Sequence, residues 1–255
     1  MDYLLFQLAD EDGNPVRELR APAAAGLHRI VWDFRYASTE KARLEEAKPD
    51  ATSPSGILAM PGKYRVSLAK SVNGVIANLT EPVGFNAVAL ANTSLPAENR
   101  AELVAFQKKV GALARSVNAA SEEVEALGQK IKSFKAAAKS LTKGGEEIAA
   151  EIRSVEKKIN EIGIKLYGDS TLLKIDKDAE LGIVDRINTA VCDQWRSTSA
   201  ATESQKQTLE IVAAEFSPVW EALKQDAEVD IRRIEKKLDE LGAPSTPGRL
   251  PDWKR

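Results

Sequence analysis

The sequence contains few of the residues that most often carry chemistry. Its one cysteine, Cys192, excludes a disulfide within the chain. Its one histidine, His28, cannot build a zinc site with that single distant cysteine, and a catalytic triad would need the histidine in an open cleft. We therefore predict no catalytic, cofactor-binding or metal-binding residues. We expect His28 to pack within a β region and Cys192 to be a buried structural thiol.

Long apolar runs and an excess of charge of one sign are absent as well. No stretch of the sequence approaches the roughly 20 apolar residues of a membrane span, and no signal peptide follows Met1. The net charge is −2 with 29% charged residues, which argues against a nucleic-acid-binding surface. No glycine-rich loop follows a predicted strand to hold phosphates. We therefore predict no cofactor, no nucleic-acid partner and no membrane span.

The N-terminal part of the chain has the short alternating segments and turn pairs that are typical of β-structure. Asp12-Gly13 and Asn73-Gly74 are strong hairpin signals. Strands are predicted over residues 3–8, 16–19, 27–34, 63–70, 75–79 and 83–90. Residues 37–60 show no periodicity, which predicts a long loop. This pattern predicts a small, immunoglobulin-like antiparallel β-sandwich over residues 1–92, and we expect it to be truncated at its N-terminus because a strand follows Met1 at once.

Two details of this region give sharper predictions. The third predicted strand should turn alternate side chains to the core: His28, Ile30, Trp32 and Phe34. Asp10, Asp12 and Asn14 resemble the start of a calcium loop. Pro15 and Ala21 stand where such a loop needs glycine and glutamate, so we predict a hairpin turn instead.

A heptad seam organises the second part of the chain. Apolar residues recur in alternating steps of three and four: Leu103, Phe106, Val110, Leu113, Val117, Ala120, Val124, Leu127, Ile131, Phe134, Ala138 and Leu141. A seam of this kind faces another helix, and one helix of this length spans roughly 58 Å. We predict that it is capped by Ser94, entered through Pro96, and forms half of a protruding antiparallel bundle over residues 93–242.

Three further helices are predicted from the same periodicity. Their seams are Ile148, Ile152, Val155, Ile159, Ile162 and Leu166; Leu181, Val184, Ile187, Val191 and Trp195; and Leu209, Val212, Phe216, Val219, Leu223, Ala227, Ile231, Ile234, Leu238 and Leu241. Gly168 and Gly242 are predicted to end helices. In the last helix, Pro218 predicts a kink, and two consecutive steps of four around Ala227 form a stutter that locally unwinds a supercoil.

Two polar or extended stretches have alternative interpretations. Five lysines within residues 130–143 could bind an acidic glycan or a membrane surface, but we favour a solvated face near the acidic residues at 146, 147 and 151. Residues 243–255 are predicted to be an extended tail. We expect Leu250 and Trp253 to pack where the two domains meet and Arg249 to contact acidic groups or carbonyls there. A disordered tail is the alternative.

Several motifs resemble one protein family. They are residues 4–6 (LLF), 10–17 (DEDGNPVR), 26–36 (GLHRIVWDFRY), 61–64 (PGKY), 95–100 (LPAENR), 106–110 (FQKKV), 194–200 (QWRSTSA) and 242–253 (GAPSTPGRLPDW). Together they resemble the FlgD-type Ig-like module and the helical region of bacterial sortilin-like, BNR-repeat proteins that are called glycosyl hydrolases. The likeness covers nearly the whole chain, although Ser245 stands where that family has tryptophan.

The resemblance implies a fold, a location and a role. It implies an α+β chain that follows a β-propeller and is exported to the periplasm or the cell surface. The glycosidase label belongs to the propeller, and this chain contains none of its Asp-box repeats. The resemblance therefore implies a non-catalytic accessory region that supports the propeller and contacts a protein or glycan partner. Two alternatives stay open: a carbohydrate- or peptide-binding module that uses a sandwich face or residues 37–60, favoured by an exposed aromatic cluster, and an enzyme, favoured by a cleft with paired carboxylates.

Overall fold

The chain has the predicted α+β fold class, with a small antiparallel β region followed by helices. The computed structural model describes residues 2–38, 55–90, 94–169, 171–172 and 180–249. Among these residues, the strands are β1 (Tyr3–Asp10), β2 (Pro15–Pro22), β3 (Arg35–Ala37), β4 (Ser55–Leu58), β5 (Gly62–Val72), β6 (Val75–Asn78) and β7 (Val83–Ala87). The α-helices are α1 (Arg100–Lys139), α2 (Gly145–Tyr167), α3 (Ile183–Trp195), α4 (Glu203–Gln225) and α5 (Ile231–Glu240), and a π-helix (Asp226–Asp230) joins the last two.

The chain divides into two compact units. The β unit comprises residues 1–112 and 191–203, and the helical unit comprises residues 113–190 and 204–255. Helices α1 and α3 therefore contribute residues to both units. The domain limits expected at residues 92 and 242 were placed from sequence patterns, whereas these units are defined by contacts within the fold. The expected limits therefore stay predictions.

The main sheet of the β unit has the strand order β2-β1-β5-β6 and is antiparallel throughout. One edge of β5 pairs with β1. Its other edge pairs with β7 over Gly62–Val66 and with β6 over Ala69–Val72. These two short strands therefore form one interrupted edge strand. Pro82 lies in the interruption, where its missing N–H costs no ladder hydrogen bond.

A two-stranded ribbon of β3 and β4 completes the β unit and corrects two predictions. Residues 27–34 are not a strand, and the extended ribbon starts only at Arg35 because Phe34 has a φ of 55°. Strand β4 lies inside the stretch predicted as a loop; the rest of that stretch, 39–54, lies outside the described residues. Gly56 allows the ribbon to close, since a Cβ there would lie 2.5 Å from the carbonyl oxygen of Ala37.

The core of the β unit is small. One cluster consists of the buried residues Leu8, Val16, Tyr64 and Ala87, with Leu19, Trp32, Tyr36, Ala59, Val66 and Phe85 packed against them. Leu5, Ala21 and Ala69 of the sheet are buried as well. In the third predicted strand, His28, Ile30 and Trp32 are partly buried as the alternation predicts, whereas Phe34 is half exposed. The alternation therefore identified the inward face of this segment although the segment is not a strand.

The helical unit follows the heptad predictions closely. All six predicted seam residues of α2 are buried, and most of the α1 seam is buried as well, with Phe106, Leu113 and Leu141 only partly so. Helices α1 and α2 run antiparallel: Lys135 Nζ lies 2.9 Å from Glu156 Oε2, and the Tyr167 hydroxyl donates to the Ser121 carbonyl at 3.0 Å. Each buried leucine or isoleucine contributes about 2 kcal/mol, so these seams hold the unit together.

Several details at the helix ends differ from the predictions. Helix α1 begins at Arg100, and the side chain of Asn99, not Ser94, accepts the backbone N–H of Glu102 at 3.1 Å. In α3, Ile187 is buried as predicted, but Leu181 precedes the helix and is exposed. Cys192 is also exposed, so the expectation of a buried thiol is wrong. Gly242 ends α5 with a φ of 67°, as predicted.

The stutter in the last seam coincides with the π-helix. Helix α4 continues through Pro218 to Gln225, and the backbone N–H of Ile231 then bonds to the carbonyl of Asp226, five residues back. A π-helix accommodates one extra residue in a turn and occurs frequently at functional sites. In this chain the π-helix turns two acidic side chains toward the interior. Asp226 and Asp230 are buried, as are the neighbouring Leu223 and Ile231.

Candidate functional site: buried aspartates at the π-helix

The residues predicted to lie at a domain junction are only partly described. Arg249 is buried, its Nη2 donates to the carbonyls of Ala243, at 3.0 Å, and Pro244, and its Nη1 lies 3.1 Å from an Asp239 oxygen. These contacts are to an acidic group and to carbonyls within the helical unit. Leu250 and Trp253 lie outside the described residues. The packing of the tail at a domain junction stays a prediction.

The most unusual group in the helical unit is the pair of aspartates on the π-helix. Asp226 and Asp230 are each only 3% exposed, although aspartate is almost never fully buried unless it is paired. Lys158, from α2, places its Nζ 2.6 Å from Asp230 Oδ2 and 3.6 Å from Asp226 Oδ1. Arg233 adds an ion pair at 2.9 Å to the other oxygen of Asp230.

The surroundings shift the pKa values of the two carboxyl groups in opposite directions. Burial raises the pKa of Asp226; the charge of Lys158 lowers it in part, and the charge of Asp230 raises it again. Burial also works against the ionisation of Asp230, but the hydrogen bond from Lys158 and the charges of Arg233 and Lys158 outweigh it and hold the pKa of Asp230 below its ordinary value. Ionisation is therefore disfavoured at Asp226 and favoured at Asp230, relative to an ordinary aspartate.

Further ion pairs surround this pair and tie α2 to α5. Glu151 contacts both Lys237 and Arg233, so the network extends along α2 in the antiparallel sense. Near the end of α1, Lys130 pairs with Glu235 at 2.6 Å. Lys135 likewise pairs with Glu156. Two of the five lysines within residues 130–143 therefore pair with acids other than the expected ones at 146, 147 and 151.

The aspartate pair lacks the geometry of two common kinds of site. Glycosidases place a sugar between two carboxyl groups, whereas Asp226 and Asp230 are each only 3% exposed and are both bound by Lys158. Within the described part of the chain, no group of three or more histidine, cysteine or acidic side chains could hold a metal ion. What the pair does provide is a buried acidic contact between α2 and the π-helix that is neutralised by two cations, Lys158 and Arg233.

The aromatic side chains of the β unit form a cluster that is partly exposed. The Trp32 ring lies 4.9 Å from Phe34 and 5.0 Å from Tyr64, and Tyr64 stacks on Phe85. Desolvation raises the pKa of the buried Tyr64 to about 12. Only Phe34, which is 50% exposed, offers much of its surface to solvent, and its positive φ is unusual for a bulky residue.

Three of the motif segments come together within the β unit. Arg35 donates to the carbonyls of Gly56 and Trp195, at 3.0 and 2.9 Å, and its guanidinium lies over the Trp195 ring. Burial lowers the pKa of Arg35, and both carbonyls compensate part of this cost. Gln107 donates to the carbonyls of Gln194 and Ser197. Residues 26–36, 106–110 and 194–200 are therefore in mutual contact, which the sequence did not predict.

The β unit also exposes a large amount of apolar side chain. Leu27 is 99% exposed and Val75 is 70% exposed, and the others that exceed half exposure before α1 are Val31, Ile76, Val83, Val88, Leu90 and Leu95. Soluble proteins normally carry single exposed apolar residues, whereas a concentration of them marks an interaction surface. We refer to the exposed residues of β6 and β7, which are Val75, Ile76 and Val83, as the apolar edge.

The arrangement defines a two-unit α+β protein with a buried acidic pair in one unit and an apolar edge in the other. Compared with known proteins, the chain matches no family model, no curated protein and no solved structure. None of the described helices combines the length and the apolar character that crossing a membrane requires.

Proposed function

We propose that this chain is the non-catalytic accessory region of an exported bacterial sortilin-like, BNR-repeat protein. In this proposal the helical unit is a scaffold, and the β unit docks on the preceding propeller or on another partner in the periplasm or at the cell surface. The observation that carries the proposal is the apolar edge of the β unit, because burial of such side chains against a partner is favourable by about 25 cal/mol per Å².

Two further observations support the proposal. Three of the motif segments that carry the family resemblance, residues 26–36, 106–110 and 194–200, contact one another around Arg35 and Trp195, as expected of segments that hold one structure together. The pair of carboxyl groups at the π-helix is buried and held by Lys158, unlike the accessible pair that glycoside hydrolysis needs. A scaffold needs contacts that hold its segments together, and it does not need a catalytic pair of carboxyl groups.

The gene provides the first test. We expect the reading frame on the N-terminal side of Met1 to encode Asp-box propeller blades. The propeller, expressed separately, should then bind this chain in isothermal titration calorimetry. A frame without blades, or a propeller that does not bind, contradicts the proposal.

Val75→Lys and Lys70→Gln form a matched pair of variants for this test. The first places a charge on the apolar edge, and the second removes a charge from the neighbouring strand β5. We expect the first variant to lose most of the affinity for the propeller and the second to keep it. Equal affinities would show that docking uses another surface.

A carbohydrate- or peptide-binding module is the second candidate function, and Phe34 is the observation in its favour. A half-exposed aromatic residue whose ring lies tilted against Trp32 is a surface on which the apolar face of a sugar can pack. Titration with neutral and acidic oligosaccharides, followed by tryptophan fluorescence, tests this function. Saturable quenching that disappears in Phe34→Ala would favour it over docking.

A further inference from the structure

Residues 27–33 form a segment of the β unit whose backbone has no partner. Side-chain burial alternates residue by residue along it: Leu27, Arg29, Val31 and Asp33 are exposed, and the three residues between them are partly buried. A period of two is that of an extended β backbone. Within the described part of the chain, the backbone N–H and carbonyl groups of this segment make no hydrogen bond. The segment therefore resembles an edge strand that lacks a neighbour.

The nearby ribbon of β3 and β4 ends just before it reaches this segment. Its last contact in this direction is the backbone N–H of Ala59, which donates to the carbonyl of Phe34 at 2.8 Å. Beyond Ala59 the chain bends at Pro61, which has no N–H to donate, and enters β5. Unpaired N–H and carbonyl groups along an extended segment are a template for strand pairing with another chain.

The exposed face of the segment is complementary in charge to itself. In an antiparallel pair of identical segments centred on Val31, Arg29 of each copy lies directly opposite Asp33 of the other, on the same face. A pair centred one residue earlier or later places Arg29 opposite Val31 or Arg35 and loses both charge pairs. A centre between two residues would set exposed side chains opposite partly buried ones. The segment therefore favours one register with a second copy.

The side chains that this register brings together are available for it. Arg29 is exposed and forms no ion pair with the described residues. Asp33 is exposed as well, and its Oδ1 accepts the backbone N–H of Arg35 at 3.2 Å, which leaves Oδ2 for a cation. Val31, at the centre, is 78% exposed, and the same residue of the second copy would cover it.

We propose that two copies of this chain pair through residues 29–33 as antiparallel strands, with Arg29 of each copy bound to Asp33 of the other. The pairing uses a different part of the β unit from the apolar edge and does not depend on docking to a propeller. A pair of five-residue strands is a small interface, so we expect a weak dimer with a dissociation constant on the order of 100 µM. The chain should therefore be mainly monomeric at about 5 µM and mainly dimeric at about 1 mM.

Sedimentation equilibrium of the intact chain over this concentration range measures the association. Arg29→Asp and Asp33→Arg each place like charges opposite one another, so each variant alone should self-associate about tenfold more weakly than the wild type. An equimolar mixture of the two variants restores both opposite-charge pairs in a mixed dimer and should associate about as tightly as the wild type. Arg232→Asp, the same substitution at an exposed arginine of α5, is the matched control and should leave the association unchanged.

NMR of the ¹⁵N-labelled chain reports which residues pair. Raising the concentration to about 1 mM should shift the amides of residues 29–33, and circular dichroism verifies that each variant is folded. The proposal is wrong if the chain stays monomeric at that concentration or if the mixed variants associate no better than each variant alone. Shifts confined to the apolar edge would also overturn it, because they would place the contact between copies on β6 and β7.

Discussion

The two units depart from the usual rule of apolar inside and polar outside in opposite ways. The helical unit buries nearly all of its predicted seam and, with it, two carboxyl groups. The β unit has a small core around Leu8 and Tyr64 and leaves many large apolar side chains in solvent. A buried charge and an exposed apolar surface are the two informative exceptions to the rule, and each unit has one of them.

The difference follows from how each architecture covers its surface. A facing helix covers most of a heptad seam, so the helical unit buries most of its predicted seam residues internally, with Leu181 left more than half exposed. The β unit has an interrupted edge strand, β6 and β7, with no further strand beyond it among the described residues. The comparison indicates that the helical unit contributes stability, whereas the β unit has surface available for a partner.

The largest expected effect comes from placing a charge in the helical seam. Leu127, in α1, is buried, and Leu127→Asp would bury an unpaired carboxylate between helices. We expect a loss of about 4 kcal/mol or more, seen by circular dichroism as loss of helix and of the cooperative melting transition. Ala126→Asp, on the exposed side of the same helix, is the matched control and should change stability by less than about 0.5 kcal/mol. Equal effects would contradict the assigned seam.

The two aspartates of the π-helix should respond differently to the same substitution. Asp230→Asn removes the ionised partner of Lys158 and Arg233, and we expect it to cost about 2 kcal/mol at neutral pH in urea unfolding. Asp226→Asn replaces a carboxyl group that favours its proton with a neutral group of the same size. It should change stability by less than about 1 kcal/mol. The reverse order would show that the proton resides on Asp230.

The pH dependence of the same variants sharpens this comparison. The lowered pKa of Asp230 means that its contribution to stability is present above the ordinary value of 3.8 and is lost as the pH falls through the folded-state value. The pKa shift of Asp226 has the opposite direction. Its contribution to stability is present at low pH and declines as the pH rises from 3.8 through the folded-state value.

Urea unfolding between pH 3 and pH 7 measures both signs. The difference between the wild type and Asp230→Asn should grow with pH up to about 3.8 and then stay constant. The difference between the wild type and Asp226→Asn should fall as the pH rises above that value. Parallel curves for the two variants would mean that the carboxyl groups are not coupled as described.

The smallest effect is expected at Cys192. The thiol is exposed at α3, so Cys192→Ser should change the free energy of unfolding by less than about 0.5 kcal/mol. A maleimide reagent should label the native protein as fast as it labels a short peptide. Protection of the thiol until the protein unfolds would instead support the burial that the sequence predicted.

Periodicity explains what the sequence could predict. The α2 seam from Ile148 to Leu166 needs only a repeat of three and four, and the turns at Gly13 and Gly74 need only the freedom of glycine to adopt a positive φ. The break before β3 could not be foreseen, because a positive φ is unusual for a bulky residue such as Phe34 and its residue type gives no sign of it. Strand β4 was missed because its pairing depends on the close approach at Gly56.

The candidate site shows more clearly what periodicity in the sequence cannot predict. The stutter around Ala227 identified the position of the π-helix but not its inward-facing residues. Acidic residues normally face solvent, and only the contact with Lys158, 68 or more residues earlier in the chain, makes burial of Asp226 and Asp230 tolerable. Such a long-range pairing leaves no periodic signal. The lone clue was that the heptad pattern changed step at this place.

Hydrogen exchange of the chain alone and in complex with the propeller tests the central claim most directly. If the β unit is the docking module, the amides of β6 and β7 and of residues 27–34 should exchange more slowly in the complex by tenfold or more. The buried helices α1 and α2 should exchange alike in both samples. Unchanged exchange along the apolar edge, with new protection confined to the helical unit, would contradict the division of roles between the two units.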